Sequence, residues 1–344
     1  MLSNTHTKKI AVVIPAYNVQ NYLEECLKSL QSQSYCNFTA FIVNDGSTDA
    51  TGEIANKFSI HDSRFKVTHT ANSGVATARN IALDQIEKDG SFFAVAFLDG
   101  DDRLHPDCLN RAVIALEQKQ VDCAIFGYRV FDKSGFIESE SYSPSDCLLK
   151  SNTEIYDHFF NCNKTQPVKW FLLNKVFRST LLTGIRFNRG MKRGEDVRFF
   201  VDLKVNLNSA VLLSEPLLDY RLRKSSLTHK DMNLLWDAEL LSTLILSNSS
   251  SFSASQKAIL TDTLLNAWRK SIIYVYSQNP SPSNILFIKK ISKKLSNAGI
   301  LHSIKSRKRL FYLSLGTNFM KWWATKRYKK IMKNNQTNSS YYYE

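Results

Sequence analysis

The chain carries no CxxC pair; its six cysteines stand apart at positions 26, 36, 108, 123, 147 and 162. Such spacing indicates neither a disulfide framework nor a zinc site, and a reducing, cytoplasmic setting fits it best. No GxxxxGKS/T loop is present, and the first strand-to-helix turn reads PAYNVQ where a dinucleotide fingerprint needs GxGxxG. That argues against a P-loop nucleotidase and against an NAD enzyme. No apolar run is long enough to cross a bilayer, and the opening MLSNTHTKKI is too polar for a signal peptide. No repeat of fixed period occurs. Acids all but vanish from the end: beyond Asp262 there are 16 Lys and Arg against one acid, Glu344. The stretch up to Asp262 therefore holds 45 − 16 = 29 basic and 31 − 1 = 30 acidic side chains, so the net charge of +14 belongs to the tail.

What is present suffices for a folded core. The 344 residues are 43% hydrophobic, enough for one large α/β domain with an extension, or for two domains. KIAVVIPAYN is an apolar, β-branched run stopped by Pro15, a buried strand. NYLEECLKSLQSQ places Tyr22, Leu23, Cys26, Leu27 and Leu30 on one helical face, with Asn21 as N-cap. Strand and helix patterns then alternate through FTAFIVNDGST, DATGEIANKFS, FKVTHT and SGVATARNIALDQI to SFFAVAFLDGDD. This alternation predicts a mostly parallel sheet flanked by helices, with ligands bound at the carboxyl ends of its strands. Those ends carry Pro15 to Asn18, Asn44 to Ser47, and Asp99 to Asp102. Past residue 120 the pattern loosens: VDCAIFGYRVF reads as a strand, and AVLLSEPLLDYRLR as two short strands around Pro216. From about 232 the segments DMNLLWDAELLSTLILS and SQKAILTDTLLNAWRKSIIYVYS are helical by period.

The chemistry gathers at the strand ends. Asp is favoured in turns and at helix N-termini, which accounts for one or two of Asp99, Asp101 and Asp102. Three carboxylates at the mouth of a buried strand repel one another, and a Mg²⁺ or Mn²⁺ that also meets substrate phosphates would relieve the repulsion. Asp45 can accept from a pyrimidine imide, and Tyr17 and Arg79 offer a stacking face and a cationic fork. Arg79 reads either as a solvated helix residue or, set among Ala76, Ala78, Ile81 and Ala82, as a functional one.

VVIPAYNVQNYLEECLKSLQSQS, FIVNDGSTDAT, NSGVATARNIAL and FLDGDD, in this order, resemble the N-terminal half of family 2 glycosyltransferases. These are inverting enzymes of GT-A fold, here of the type that builds bacterial capsule or lipopolysaccharide. The likeness covers about residues 8–110 nearly motif by motif and extends more loosely to about 230. It implies a UDP-sugar donor, a glycan or lipid-linked glycan acceptor, and Mg²⁺ or Mn²⁺ held by Asp99 and Asp101 with Asp102 adjacent. Asp45 would read uracil, while Pro15, Tyr17 and Arg79 would line the nucleoside site. Asn44 departs from the pattern, which usually has two aspartates there; the one before glycine is kept as Asp45.

MKRGEDVRFF resembles the family's Glu-Asp motif, in which the aspartate, here Asp196 beside Glu195, takes the acceptor proton. In isolation the pair would read as ordinary acids at a helix N-terminus. KWFLLNKVFRSTLL resembles the Trp-Asn-Lys element, although Trp170 is separated from Asn174 and Lys175. YRLRKSSLTH resembles a segment that closes over the diphosphate, with Arg221, Arg223 and Lys224 as cations and His229 as an added metal ligand or a solvated loop histidine. The competing classes are a silent nucleotide-sugar-binding protein of the same fold and a sugar nucleotidyltransferase; the second needs a glycine-rich basic loop that PAYNVQ lacks.

The expected organisation is a GT-A domain over 1–230, with a nucleotide-binding half at 8–110 and an acceptor half at 111–230. A helical, basic extension at 231–334 and a disordered tail at 335–344 follow. Residues 301–333 hold ten Lys and Arg and no acid, interleaved with Leu310, Phe311, Phe319, Trp322 and Trp323. This reads either as a basic helix packed on the protein or as an anchor to anionic lipid at the inner face of the cell membrane. Nucleic acid is not expected, since no groove-reading motif accompanies the charge.

Overall fold

A computed structural model describes residues 7–131, 137–141, 143–160, 171–189, 195–204, 206–222, 252–278, 281–297 and 317–336. The chain divides into two units, Met1–Ser226 and Leu227–Glu344.

The first unit is built on one sheet. Its N-terminal half joins β1 (Ile10–Ala16), β2 (Phe38–Asp45), β3 (Phe65–Thr70) and β4 (Ala94–Phe97) in the order β3-β2-β1-β4, all parallel. The connecting helices are α1 (Leu23–Gln31), α2 (Thr51–His61) and α3 (Val75–Asp89). β1 and β2 are almost wholly buried, as β-branched runs covered on both faces should be. The predicted parallel sheet flanked by helices is therefore what the chain forms. Leu23, Cys26, Leu27 and Leu30 of α1 face inward as expected. The expected Asn21 cap is not used: the residue before the helix is Tyr22, and the Val19 carbonyl accepts from the Tyr22 and Leu23 N–H groups instead.

Beyond β4 the sheet turns mixed. It continues through β5 (Arg103–Leu104), α4 (Cys108–Lys119), β6 (Cys123–Phe131), β7 (Ile137–Ser141), β8 (Cys147–Leu149), α5 (Asn152–Phe160), β9 (Lys175–Arg178), α6 (Glu195–Leu203) and β10 (Ala210–Arg221). β9 lies antiparallel between β4 and β6, and the order runs on as β9-β6-β10-β5, with β7 on β6 and β8 on β10. The two short strands expected around Pro216 are one strand, β10, whose register against β6 shifts on either side of the proline. Pro216 has no N–H to give the ladder, and a bulge is where a strand tolerates that loss. Because β1, β2 and β4 are parallel, their carboxyl ends open on the same edge.

The second unit contains α7 (Ala254–Gln278), α8 (Pro282–Asn297) and α9 (Thr317–Gln336). Trp268, Ile272 and Val275 pack with Ile288, Ile291 and Leu295 and with Met320 and Ala324. The buried Trp268 indole N–H is satisfied by the Ser292 hydroxyl at 2.9 Å. The helix expected over DMNLLWDAELLSTLILS lies outside the described residues. Among those described, no helix is long and apolar enough to cross a membrane.

Candidate active site

The edge where β1, β2 and β4 end is cross-braced. The residue after β1 is Tyr17, 49% exposed. Asn18 follows with a φ of 49°, a left-handed conformation that asparagine tolerates better than most. Its N–H donates to the Ser47 hydroxyl at 3.1 Å and its side-chain oxygen accepts from the Thr48 N–H at 2.9 Å. Gln20 accepts from the Ala50 N–H at 2.9 Å, and Val19 donates to the Thr51 hydroxyl at 2.8 Å. The loops after β1 and β2 are thus one joined structure. Gly46 makes the second loop possible: its φ is +69°, and a Cβ there would stand 2.5 Å from the Asn72 backbone nitrogen.

Asp45 is buried, and its two carboxylate oxygens accept from the Ser73 and Gly74 N–H groups, each at 2.8 Å. It thereby fixes the turn that starts α3. Neighbouring Asn44 joins a chain in which its amide meets His69 Nδ1 at 3.0 Å, while His69 Nε2 meets Asn56 at 2.9 Å. An aspartate in place of Asn44 would bring a second carboxylate beside Asp45.

β4 ends at Phe97, and Asp99 to Asp102 close a turn in which the Asp102 N–H donates to the Asp99 carbonyl at 3.0 Å. Gly100 lets this turn approach the first loop: a Cβ would lie 3.2 Å from Val19 Cγ2 and 3.5 Å from the Pro15 carbonyl oxygen. One carboxylate oxygen each from Asp99, Asp101 and Asp102 falls within 4.8 Å of the others. Among the described residues no other group of three His, Cys, Asp or Glu is so placed.

Arg79 is the hub. It is 3% exposed, and one nitrogen, Nη2, reaches Asp99 at 3.1 Å. The other, Nη1, reaches Asp196 at 2.8 Å and Glu195 at 3.2 Å. The solvated-helix alternative for this arginine is thus excluded. Burial alone would lower its pKa, but the carboxylates of Asp196, Asp99 and Glu195 outweigh that and raise it. For Asp196, burial is the largest influence and raises the carboxyl. Arg79 opposes this, Glu195 and Asp99 reinforce it, Lys175 opposes it, and the carboxyl is pushed up to about 7. Arg79 thus faces three carboxylates, with Asp101 and Asp102 close to the first. A cluster of hard oxygen donors suits a divalent cation.

Behind these acids lies an aromatic block. Phe97, two residues before Asp99, touches Phe177 of β9, Phe187 and Phe199 of α6, with ring centroids 6.2, 5.7 and 5.9 Å away. Phe187 stacks on Phe199 at 4.2 Å. Asn174 and Lys175 are fully buried in the strand edge beside it. The Lys175 ammonium donates to the Phe171 carbonyl at 2.6 Å and to the Asn174 side chain at 2.7 Å.

The structure therefore brings Arg79, Asp99, Glu195 and Asp196 together with Asp101 and Asp102. Asp45 is turned toward the α3 turn, and Tyr17 and Pro15 lie at the rim where the first loop begins. Arg221 is held by Glu25 and by the Asp101 carbonyl rather than left open. Trp170, Arg223, Lys224 and His229 lie outside the described residues. Sequence reading missed Glu25, Arg103 and the loop braces Asn18 and Gln20. Glu25 had a signal only as one more acid on the outer face of α1.

Residues 11–194, more than half the chain, match the description "Glycosyl transferase family 2". Glycosyltransferase GlyA of Streptococcus pneumoniae serotype 4 is 37% identical over 244 residues, 67% of this chain and 33% of GlyA. The chain thus aligns with about a third of that relative's length. EpsH of Bacillus subtilis is 26% identical over 303 residues, 86% of this chain and 83% of EpsH. Among solved structures, Staphylococcus aureus TarS residues 1–349 in complex with UDP-GlcNAc superposes with a TM-score of 0.68 at 20% identity. That match covers 94% of this chain and 92% of the TarS chain, and it shows a shared fold.

Proposed function

Because this chain belongs to glycosyl transferase family 2, we propose that it moves one sugar from a UDP-sugar to a hydroxyl of a glycan or lipid-linked glycan, with inversion. The observation that carries this reading is Arg79, which ties Asp99 to the Glu195–Asp196 pair within 3.2 Å. A leaving-group site and a base lie on two sides of one cation, which is what a single displacement needs. The UDP-GlcNAc in the TarS complex supports a uridine donor.

In this mechanism Asp196 accepts the proton of the acceptor hydroxyl as its oxygen attacks the anomeric carbon. The bond from that carbon to the diphosphate oxygen breaks, UDP departs with the electron pair, and Asp196 returns its proton to solvent. Glu195 shares Nη1 of Arg79 with Asp196 and keeps the base oriented. Mg²⁺ or Mn²⁺, held by Asp99 and Asp101, would neutralise charge developing on the diphosphate. Pro15 and Tyr17 would line the nucleoside with Asp45 toward the uracil, Arg223 would neutralise the diphosphate, and His229 would add a metal ligand. The intended partner surface of the second unit is anionic lipid, with the enzyme peripheral at the inner face of the cell membrane.

The test measures UDP release across a panel of UDP-sugars, with and without acceptor, alongside UDP binding. Asp196→Ala should keep metal-dependent UDP binding and lose transfer, whereas Asp101→Ala should lose that binding. A fully active Asp196→Ala would sink the base assignment.

A further inference from the structure

We infer that Asp102 anchors the acid turn while Asp99 and Asp101 hold the cation, and that Glu25, acting through Arg221, is a positioning residue for that pair. The inference rests on the metal-assisted reading given above. Asp102 is 1% exposed, and its Oδ1 accepts from the Arg221 backbone N–H at 2.7 Å. One oxygen of Asp102 is thereby committed to a buried, charge-assisted hydrogen bond that ties the turn to β10. Arg221 grips the same turn a second time, its Nε donating to the Asp101 carbonyl at 2.9 Å. The guanidinium lies over the rings of Phe131 at 4.3 Å and Tyr22 at 5.1 Å, and Nη2 pairs with Glu25.

The bracket extends to the residue after Asp102. Arg103 Nη1 meets the other Glu25 oxygen at 2.5 Å, Nη2 meets Asp219 at 2.8 Å, and Asp219 in turn holds Arg129 at 2.8 Å. Arg103 also stacks on Phe131, at 4.1 Å, and stands opposite Asp219 in the β5–β10 pairing. Glu25 thus bridges Arg221, which grips Asp101 and Asp102, and Arg103, the residue that follows them. Charges alternate along this network, so each carboxylate in it lies between two arginines. Arg221, which the sequence assigns to the diphosphate, is committed to the turn: leaving it for a phosphate would strip Glu25 of one partner. Ligand oxygens must be fixed to within about half an ångström to define a metal site, and the bracket supplies that constraint.

Mn²⁺ titration of the full chain by electron paramagnetic resonance, in the presence of UDP, separates the roles. Asp101→Asn should abolish binding. Asp102→Asn keeps an oxygen to accept from Arg221 and should bind within about twofold of the parent, as expected where only an outer partner is exchanged conservatively. Glu25→Gln should weaken Mn²⁺ about tenfold, the loss typical of an outer-shell partner, with the melting temperature and metal-free UDP binding unchanged. Loss of Mn²⁺ by Asp102→Asn as complete as that of Asp101→Asn would make Asp102 a ligand and overturn the first half. Parental affinity in Glu25→Gln would overturn the second. A parent chain that takes up no Mn²⁺ with UDP would instead remove the metal reading itself.

Discussion

Arg79 holds its three carboxylates through a fork, with Nη1 and Nη2 reaching different partners. Lysine carries the same charge as a single point and cannot span them. Arg79→Lys should therefore fold but lose about 100-fold or more in kcat, an expectation drawn from the cost of misplacing catalytic groups by about an ångström. Retention of kcat within a few-fold would show that the fork is dispensable. Asp196 makes a pH prediction. In the proposed mechanism the base works deprotonated, so kcat/KM should climb tenfold per unit below about 7 and level off above it. Stability runs the other way. The folded carboxyl is raised above its ordinary 3.8, so the native state binds more protons than the unfolded one between about 4 and 7. Stability contributed by this group falls as pH rises through that window, and Asp196→Asn should gain melting temperature relative to the parent at pH 8 compared with pH 4. At this scale the sequence made Arg79 legible by its alanine surroundings and the acids by their position at a strand end. Glu25 was not legible, because its partner Arg221 is 196 residues away.

Among elements, the strand ends were readable because β-branched runs and turn residues mark them directly. The cap of α1 was not, since a backbone carbonyl from Val19 took the role that a side chain usually has. β10 was misread for a physical reason: proline normally ends a strand, and here a bulge absorbs it. The braced loops after β1 and β2 carry the element-scale prediction. Gly46→Ala would force an alanine to a φ of +69° and a Cβ against the Asn72 backbone. A destabilisation of about 1–3 kcal/mol in urea unfolding is expected from that strain. UDP affinity should fall with it, because Tyr17 and Asp45 are set by these loops; unaltered stability would mean that the loop relaxes freely.

Over the whole molecule, the alternation of strand and helix made the first unit legible, and its mixed half was hidden because β9 inserts between strands from distant parts of the chain. The second unit shows why its charge matters. On α8, Lys289, Lys290, Lys293 and Lys294 are exposed around Leu286, itself 68% exposed. On α9, Trp322 is 60% exposed with the Lys326 ammonium 5.3 Å above its ring. Cations with an outward apolar side chain suit an anionic headgroup layer. The chain should sediment with vesicles containing phosphatidylglycerol and stay free of neutral ones, and 0.5 M salt should weaken that attachment. Truncation after about residue 300 removes Trp322 and Lys326 but keeps the lysines of α8, and should weaken attachment further; equal binding to neutral vesicles, or none to anionic ones, contradicts the assignment.

The aromatic block has a further consequence. Phe97 leads into the acid turn, Phe199 sits one helical turn beyond Asp196, and the two rings are 5.9 Å apart. In the proposed mechanism the span from departing diphosphate to proton acceptor is therefore set by a buried stack of rings, in the manner of a machinist's gauge. Such a gauge does not stretch for a bulkier donor. On that mechanism, variation in which sugar or acceptor is accepted would arise in the segments around the gap, with the length of the stroke itself constant.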